Sequence, residues 1–190
     1  GLNFAPDNDG KTFIALVNGA GDRVIDARIF EPRPTHLGES EARVPDGDAL
    51  FQDAADPTPG AANKVTVNQD VVLSEIMYHP LDDDSRGEYL ELYNRGAQPV
   101  DLGGWSFSDG ISFDVPDGTV IAPDAYLVVA RDPAYISATY GLAAGRVIGP
   151  AADDATALAS FGTLADSGER VTLSDPRGNV ADTVRYFDGG

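Results

Sequence analysis

The sequence has no cysteine among its 190 residues, so it can form neither disulfide bonds nor thiolate metal sites. Lysine occurs only at Lys11 and Lys64. With 13 Lys and Arg against 31 Asp and Glu, the formal net charge is −18 at pH 7. A field of that sign repels phosphate backbones and anionic lipids, so we expect neither nucleic-acid binding nor membrane insertion from this chain.

Other absences exclude whole classes of protein. No apolar run is long enough to span a bilayer, and no basic and apolar leader opens the chain. Walker, zinc and dinucleotide motifs are missing, and so is the G-x-S-x-G nucleophile elbow. Because the first residues, GLNFAPDNDG, are unlike a natural start, we expect a fragment of a longer protein, with any signal peptide outside it.

Strand patterns dominate what is present. Short alternating or β-branched runs recur, with Gly, Pro, Asn or Asp between them, which predicts an all-β sandwich or barrel rather than a βαβ protein. The predicted strands are Thr12–Val17, Val24–Phe30, Val71–Met77, Tyr89–Tyr93, Trp105–Phe107, Ile111–Val115, Tyr126–Ala130, Arg170–Leu173 and Val180–Tyr186. One short helix is predicted over PAYISATY, because Asp132 can cap it, Pro133 suits its first position and Gly141 can end it.

Alternation along the strands predicts the core. One face of each strand should lie between two sheets, and the other should meet solvent. The expected core residues are Leu90, Leu92, Trp105, Phe107, Tyr126, Val128 and Ala130. Glu91 should point outward, beside Tyr89 and Tyr93.

The chain also contains an internal repeat. The segment Phe4–Asp22 aligns without gaps with Phe161–Asn179, and once Arg23 is removed the match continues to Phe30 and Tyr186. In that continuation Asp26 aligns with Asp182. Both copies read as strand, polar Gly turn and strand, and the shared register favours duplication over chance.

A domain boundary is predicted near DPTPGAANK, Asp56–Lys64, whose prolines, glycine and small residues are typical of a linker. Residues 1–64 would be the C-terminal part of a preceding module plus the linker, and residues 65–190 a second module. The first part has too few strands to bury a core alone. We therefore expect it to pack on the second module, on another chain or on upstream sequence.

Five motifs in order, SEIMYHP, GEYLELYNRG, PVDLGGWSFSDG, VIAPDAYLVVA and SGERVTLSDPRGNVADTVRY, resemble the bacterial lamin-tail domain family over roughly Val71–Phe187. Residues 1–63 resemble the end of another copy, including RVPDG and PTPGAAN. The resemblance implies an immunoglobulin-like β-sandwich. It also implies a module of secreted or surface bacterial proteins, often beside nucleases, other hydrolases or spore-coat-like kinase domains. Nuclear lamin tails bind DNA and proteins, but this acidic chain lacks a basic face, so DNA binding is not carried over.

An acidic loop is the candidate metal site. Asp82, Asp83 and Asp84 follow His79 and precede Glu88, and such oxygen ligands suit Ca²⁺. A solvated turn is the favoured interpretation, because consecutive Asp side chains point in different directions and Asp is a turn residue. Asp7-Asn8-Asp9-Gly10 likewise lacks the other ligands of a calcium loop and is interpreted as a turn.

The remaining candidates have ordinary structural interpretations. Tyr89, Tyr93 and Tyr126 could form an aromatic carbohydrate-binding strip, although tyrosine is also common on sheet surfaces. Two of Glu75, Glu88 and Glu91 could form an acid–base pair for glycoside hydrolysis. Glu88 and Glu91 are expected on opposite strand faces, with Glu91 as ordinary surface patterning, and a structural hydrogen bond or cross-strand ion pair is the favoured role of Glu75. His36 has no nucleophile motif near it. No catalytic residue is predicted.

Together these patterns predict a non-catalytic structural, adhesive or interaction module of a larger secreted or cell-surface bacterial protein. Its partner would be a protein or a surface polymer, and an edge-strand dimer or packing on a neighbouring module is the expected mode. One alternative is an accessory domain of a hydrolase or kinase whose catalytic domain lies outside this chain. Another is a calcium-dependent carbohydrate-binding module; apart from that calcium, no cofactor is expected.

Overall fold

The computed structural model describes residues 11–30, 38–65, 67–81, 84–151 and 153–187. Strands make up most of the regular structure there. They are β1 Thr12–Val17, β2 Val24–Phe30, β3 Ser40–Arg43, β4 Phe51–Ala54, β5 Val71–Met77, β6 Tyr89–Asn94, β7 Val100–Asp101, β8 Ser106–Ser108, β9 Phe113–Asp114, β10 Val120–Ile121, β11 Tyr126–Ala130, β12 Val147–Ile148, β13 Arg170–Ser174 and β14 Val180–Arg185. The helices are α1 Pro133–Tyr140 and α2 Ala155–Phe161, with a 3-10 turn at Ser85–Gly87. Neither helix is long and apolar enough to cross a membrane, as judged over the described residues.

Two four-stranded sheets face each other, in the orders β12-β11-β6-β5 and β14-β13-β8-β9. Leu90 and Leu92 of β6 meet Phe107 of β8 and Leu173 of β13 between the layers, and Trp105 lies in the same cluster. Each of these side chains is almost fully buried. The expected all-β sandwich and the inward direction of Leu90, Leu92, Trp105 and Phe107 are therefore confirmed.

The expectation of a single short helix is corrected, because the described residues form two. Helix α1 has the predicted signals: the Asp132 carboxylate accepts from the Tyr135 N–H, and Gly141 ends it in the left-handed conformation. Helix α2 is capped by Asp154, whose carboxylate accepts from two backbone N–H groups. It ends in Phe161, which is buried in the main core against Phe113.

The direction of β11 is also corrected. Leu127 and Val129 enter the core between the sheets. The other face of the strand carries Val128 and Ala130, which form a second small core with Tyr89 and Ile136 beneath helix α1. Alternation separates the two faces of the strand correctly, but both faces are covered from Leu127 to Ala130. Tyr126, an expected core residue, is exposed.

The described N-terminal part contains two hairpins, β1–β2 and β3–β4, each a separate two-stranded sheet. Strands β3 and β4 escaped prediction because they are short and rich in charged or small residues. The proline-containing segment that follows folds back on them: the Asn63 side chain donates to the Arg43 carbonyl at 3.1 Å, and its backbone N–H donates to Asp46.

Candidate functional site

In the described part of the acidic loop, the carboxylate of Asp84 bonds to a residue two positions away. Asp84 caps the 3-10 turn by accepting from the Arg86 N–H, and its carboxylate also pairs with the Arg86 guanidinium at 2.6 Å. Hydrogen bonds from Arg86 lower the pKa of Asp84. Asp82 and Asp83 lie outside the described residues. The Arg86 cation therefore takes both carboxylate oxygens with which Asp84 would bind a calcium ion.

His79 and Glu88 meet at one end of the sandwich, around a cavity of about 170 Å³ that Leu164 and Asp166 also line. Glu88 is buried, and its Oε2 accepts from the Leu164 N–H at 2.9 Å. Burial raises the pKa of the Glu88 carboxyl. This hydrogen bond links the segment after α2 to the residue that precedes β6, which is a structural role.

No group of three or more His, Asp or Glu side chains is arranged to hold a metal ion within the part of the chain that the structure describes. His36, Asp7 and Asp9 fall outside that part.

Glu75 and Glu91 lie directly opposite each other on β5 and β6, and each has a local partner. The Tyr89 hydroxyl donates to Glu75 at 2.9 Å, and the Ser74 hydroxyl donates to Glu91 at 2.9 Å. Burial and the neighbouring Glu75 carboxylate raise the pKa of Tyr89. Like charges directly opposite destabilise a sheet, and these two hydroxyl donors offset that cost.

The three tyrosines do not form one exposed strip. Tyr89 is covered by α1, and its ring meets Tyr140 edge-on. Tyr93 and Tyr126 are direct cross-strand partners with stacked rings 4.7 Å apart. The Tyr93 hydroxyl donates to Asp124 at 3.0 Å. The two rings stack as a cross-strand pair on the surface of the sheet, where Tyr126 remains exposed.

These arrangements place ionisable and aromatic groups in structural roles on a two-sheet sandwich. The family model of the lamin tail domain matches residues 64–188, which is most of the chain and the whole sandwich. The chain belongs to the lamin-tail domain family. A search of curated proteins finds no match. The family is a non-catalytic, immunoglobulin-like module, consistent with an interaction role.

Sequence reasoning did not identify the residues that join the N-terminal hairpins to the lamin-tail domain. Asn179, in the turn between β13 and β14, makes two hydrogen bonds with the backbone of Asp53 in β4. Its Oδ1 accepts from the Asp53 N–H at 2.6 Å, and its Nδ2 donates to the Asp53 carbonyl at 3.1 Å. Arg177, in the same turn, pairs with Glu39 at 2.6 Å.

We call this contact between β3–β4 and the β13–β14 turn the docking contact. It joins β3–β4 to the lamin-tail domain. No local pattern could reveal it, because Asp53 and Asn179 are 126 positions apart. Asn179 is 3% exposed, so its amide pairs with the Asp53 backbone out of water.

The β1–β2 hairpin lies outside the region that matches the lamin-tail family. It packs against β3–β4, where Arg28 pairs with Glu41 at 2.6 Å and the Phe30 ring meets the Phe51 ring edge-on. Apolar side chains nevertheless remain exposed on both of its faces: Phe13, Leu16, Val17, Val24, Ile25 and Ile29. A groove of about 180 Å³ runs between Leu16 and Phe51.

Proposed function

We propose that this chain is a non-catalytic structural and interaction module of a larger secreted or cell-surface bacterial protein. The docking contact is the observation that carries the proposal. It holds the lamin-tail domain against the segment that precedes it through a buried amide and an ion pair. A module that fixes its neighbour in this way sets the spacing and orientation of consecutive parts of a chain.

The placement of ionisable groups supports a role without bond-breaking chemistry. Glu88 holds a backbone N–H, Glu75 and Glu91 accept from hydroxyl groups, and Asp84 pairs with Arg86. Each carboxylate is positioned by a bond that stabilises the fold. Glu88 lines the cavity beside His79, and there its carboxylate accepts from the Leu164 N–H.

The charge supports the proposed surroundings and partners. At −18, the chain repels other polyanions and stays soluble in salt, as suits a protein exposed outside the cell. The expected partner is a protein or a neutral or cationic surface polymer. The complete reading frame checks the location: an export signal or surface anchor is expected, and a cytoplasmic enzyme without either would contradict it.

Backbone ¹⁵N relaxation of the full chain tests the structural role. If the docking contact fixes orientation, residues 38–65 and 67–187 report one rotational correlation time. Two distinct correlation times, with the shorter one in residues 38–65, would mean that the neighbouring segment swings freely and that the module does not orient it. Asn179→Ala, which removes the buried amide of the docking contact, should separate the two correlation times. The exposed turn variant Asp22→Ala, away from that contact, is the control and should not.

A further inference from the structure

Two hairpins of this chain have the same strand pairing. Five pairs of β1–β2 correspond one to one with five pairs of β13–β14: Phe13–Ile29 with Arg170–Arg185, Ile14–Arg28 with Val171–Val184, Ala15–Ala27 with Thr172–Thr183, Leu16–Asp26 with Leu173–Asp182, and Val17–Val24 with Ser174–Val180. The register shifts at the same place in both, between Leu16 and Val17 and between Leu173 and Ser174. A shared bulge is a specific feature, since it fixes the local bend and twist.

The turns agree as well. The Gly21 N–H donates to the Asn18 carbonyl at 3.0 Å, and the Gly178 N–H donates to the Asp175 carbonyl at 2.9 Å. Both glycines have positive φ, +74° and +82°. The side-chain oxygens of Asn18 and Asp175 each accept backbone N–H groups from the end of their turn. Sequence, register, bulge and turn therefore identify the two hairpins as equivalent.

We call the part of the sandwich that precedes the second hairpin, from β5 to α2, the body. In the lamin-tail domain, the body covers the second hairpin. The other edge of β13 pairs with β8, so that Leu173 lies opposite Phe107. Val171 and Leu173 are completely buried in the core. On β14, the Asp182 carboxylate reaches β5, where its Oδ2 accepts from the Leu73 N–H at 2.8 Å.

The first hairpin has the same features, but β3–β4 takes the place of the sandwich on that face, where Phe30 meets Phe51 and Asp26 pairs with Arg43 at 2.9 Å. Leu16, the equivalent of Leu173, is 60% exposed. Among the described residues, β1 pairs with no strand other than β2. Asp26 also repeats a local bond of Asp182: each carboxylate Oδ1 accepts from the next residue's N–H at 2.9 Å. An isolated hairpin is only marginally stable in water. A hairpin with apolar faces and an unpaired strand edge is therefore stabilised when another surface covers it.

We propose that β1–β2 is the closing hairpin of another lamin-tail sandwich, and that its open edge and inner face take the body of that sandwich. A strand equivalent to β8 would pair along Ala15–Val17. The apolar layer behind it would cover Ile14 and Leu16, and a strand equivalent to β5 would donate a backbone N–H to Asp26. This inference rests on the proposed function and adds the chemistry of the partner.

The occupant is a body that lacks its own closing hairpin, rather than an intact second copy of this chain. In an intact copy, β8 already pairs with β13 on one side and with β9 on the other. It therefore offers no free edge to β1. Equivalence with the β8–β13 interface is what selects this partner over any other apolar surface.

An extended chain tests the inference. Residues 64–160 are joined ahead of Phe4 in the full chain, because Phe4 aligns with Phe161, so the first hairpin follows a body that it can close. Hydrogen exchange of the segment 12–17 is compared between the extended and the parent chains. Pairing with the added β8 should slow exchange of this segment at least tenfold. A second extended chain, in which residues 12–30 are replaced by residues 169–186, shows that the added body folds when given its own hairpin.

Matched variants identify the contact. In the parent chain, Asp26 pairs with Arg43 at 2.9 Å, so Asp26→Ala removes that ion pair in both chains. It should lower the urea midpoint of the added module in the extended chain by more than it lowers that of the parent chain, because the extended chain also supplies the β5 partner. Asp22→Ala, an exposed carboxylate in the same hairpin, should be neutral in both. Unchanged exchange in segment 12–17, or an added body that folds only with residues 169–186, would overturn the inference.

A third outcome would overturn it in another way. If exchange of segment 12–17 in the parent chain slows with protein concentration, the occupant is a second intact copy. The docking contact does not depend on any of these results, since it is measured by relaxation of residues 38–65. The failure of this inference and the failure of the proposed function are thus told apart.

Discussion

Replacing Asn179 by alanine should release β3–β4 from the lamin-tail domain while the sandwich stays folded. The Asn179 amide is the buried part of the docking contact: it accepts from the Asp53 N–H and donates to the Asp53 carbonyl. Asp53 is itself buried, so both of its backbone groups lose their partner in a place with little water. Shortening the Asn179 side chain to alanine therefore costs more free energy of docking than the net value of two ordinary hydrogen bonds.

The magnitude follows from the two orphaned groups. An unsatisfied buried donor or acceptor costs about 1–3 kcal/mol, and partial access of water after release places the total at about 2–4 kcal/mol. At about 1.4 kcal/mol for each factor of ten, the population of the undocked state rises roughly 30- to 700-fold. The sandwich itself should lose much less, because Asn179 lies in a turn and outside the main core.

Native-state hydrogen exchange measures both effects in one experiment. In Asn179→Ala, amides of β4 should exchange faster by that factor, while amides of β6 keep their rates. Asn68→Ala is the control, since the Asn68 side chain accepts only from the nearby Asp70 N–H among the contacts described. Unchanged exchange at Asp53 and Ala54 in Asn179→Ala would refute the claim that this amide holds the two parts together.

Three further predictions follow from the sandwich and its carboxylates. Leu92→Ala should cost about 2–5 kcal/mol in urea unfolding followed by Trp105 fluorescence, because Leu92 is fully buried; the control Leu16→Ala, at an exposed position, should cost roughly 0.5 kcal/mol or less. Glu88→Gln should raise the urea midpoint at pH 7, because burial raises the pKa of Glu88 and its ionised form disfavours folding, whereas Gln still accepts from the Leu164 N–H. That gain should shrink as pH falls through the folded pKa of Glu88 towards its ordinary value of 4.5, where the wild-type carboxyl is protonated, and a gain that grew on acidification would contradict the assignment. Millimolar calcium should leave the melting temperature unchanged, because Arg86 already pairs with Asp84; a rise that Asp84→Asn abolishes would restore the calcium site.

Local signals predicted much of the sandwich. Helix α1 was predictable because Asp132, Pro133 and Gly141 mark both of its ends by their backbone chemistry. Strand β11 has the predicted bounds, since five consecutive apolar residues between turns fit a strand buried on both faces. The two-residue strands β7, β9, β10 and β12 are too short for any alternation to show, and β9 covers only Phe113–Asp114 of the predicted strand Ile111–Val115.

What remained hidden depends on tertiary contacts. The sequence of α2, ATALASF, has no charged residue to mark a solvent face, and its small side chains read equally well as a loop. Tyr89 looked like a surface residue because nothing in β6 shows that α1 will cover it. The docking contact joins residues that are distant in sequence, and no local pattern relates them.

The central claim is that the lamin-tail sandwich is closed by its own hairpin, while an equivalent hairpin stands open beside it. Hydrogen exchange of the parent chain, resolved at β13 and at β1, tests this most directly. We expect amides of Val171 to Leu173 to exchange only when the whole sandwich unfolds, and those of Ile14 to Leu16 to exchange at least a hundredfold faster. Equal, slow exchange at both strands in dilute solution would contradict the claim.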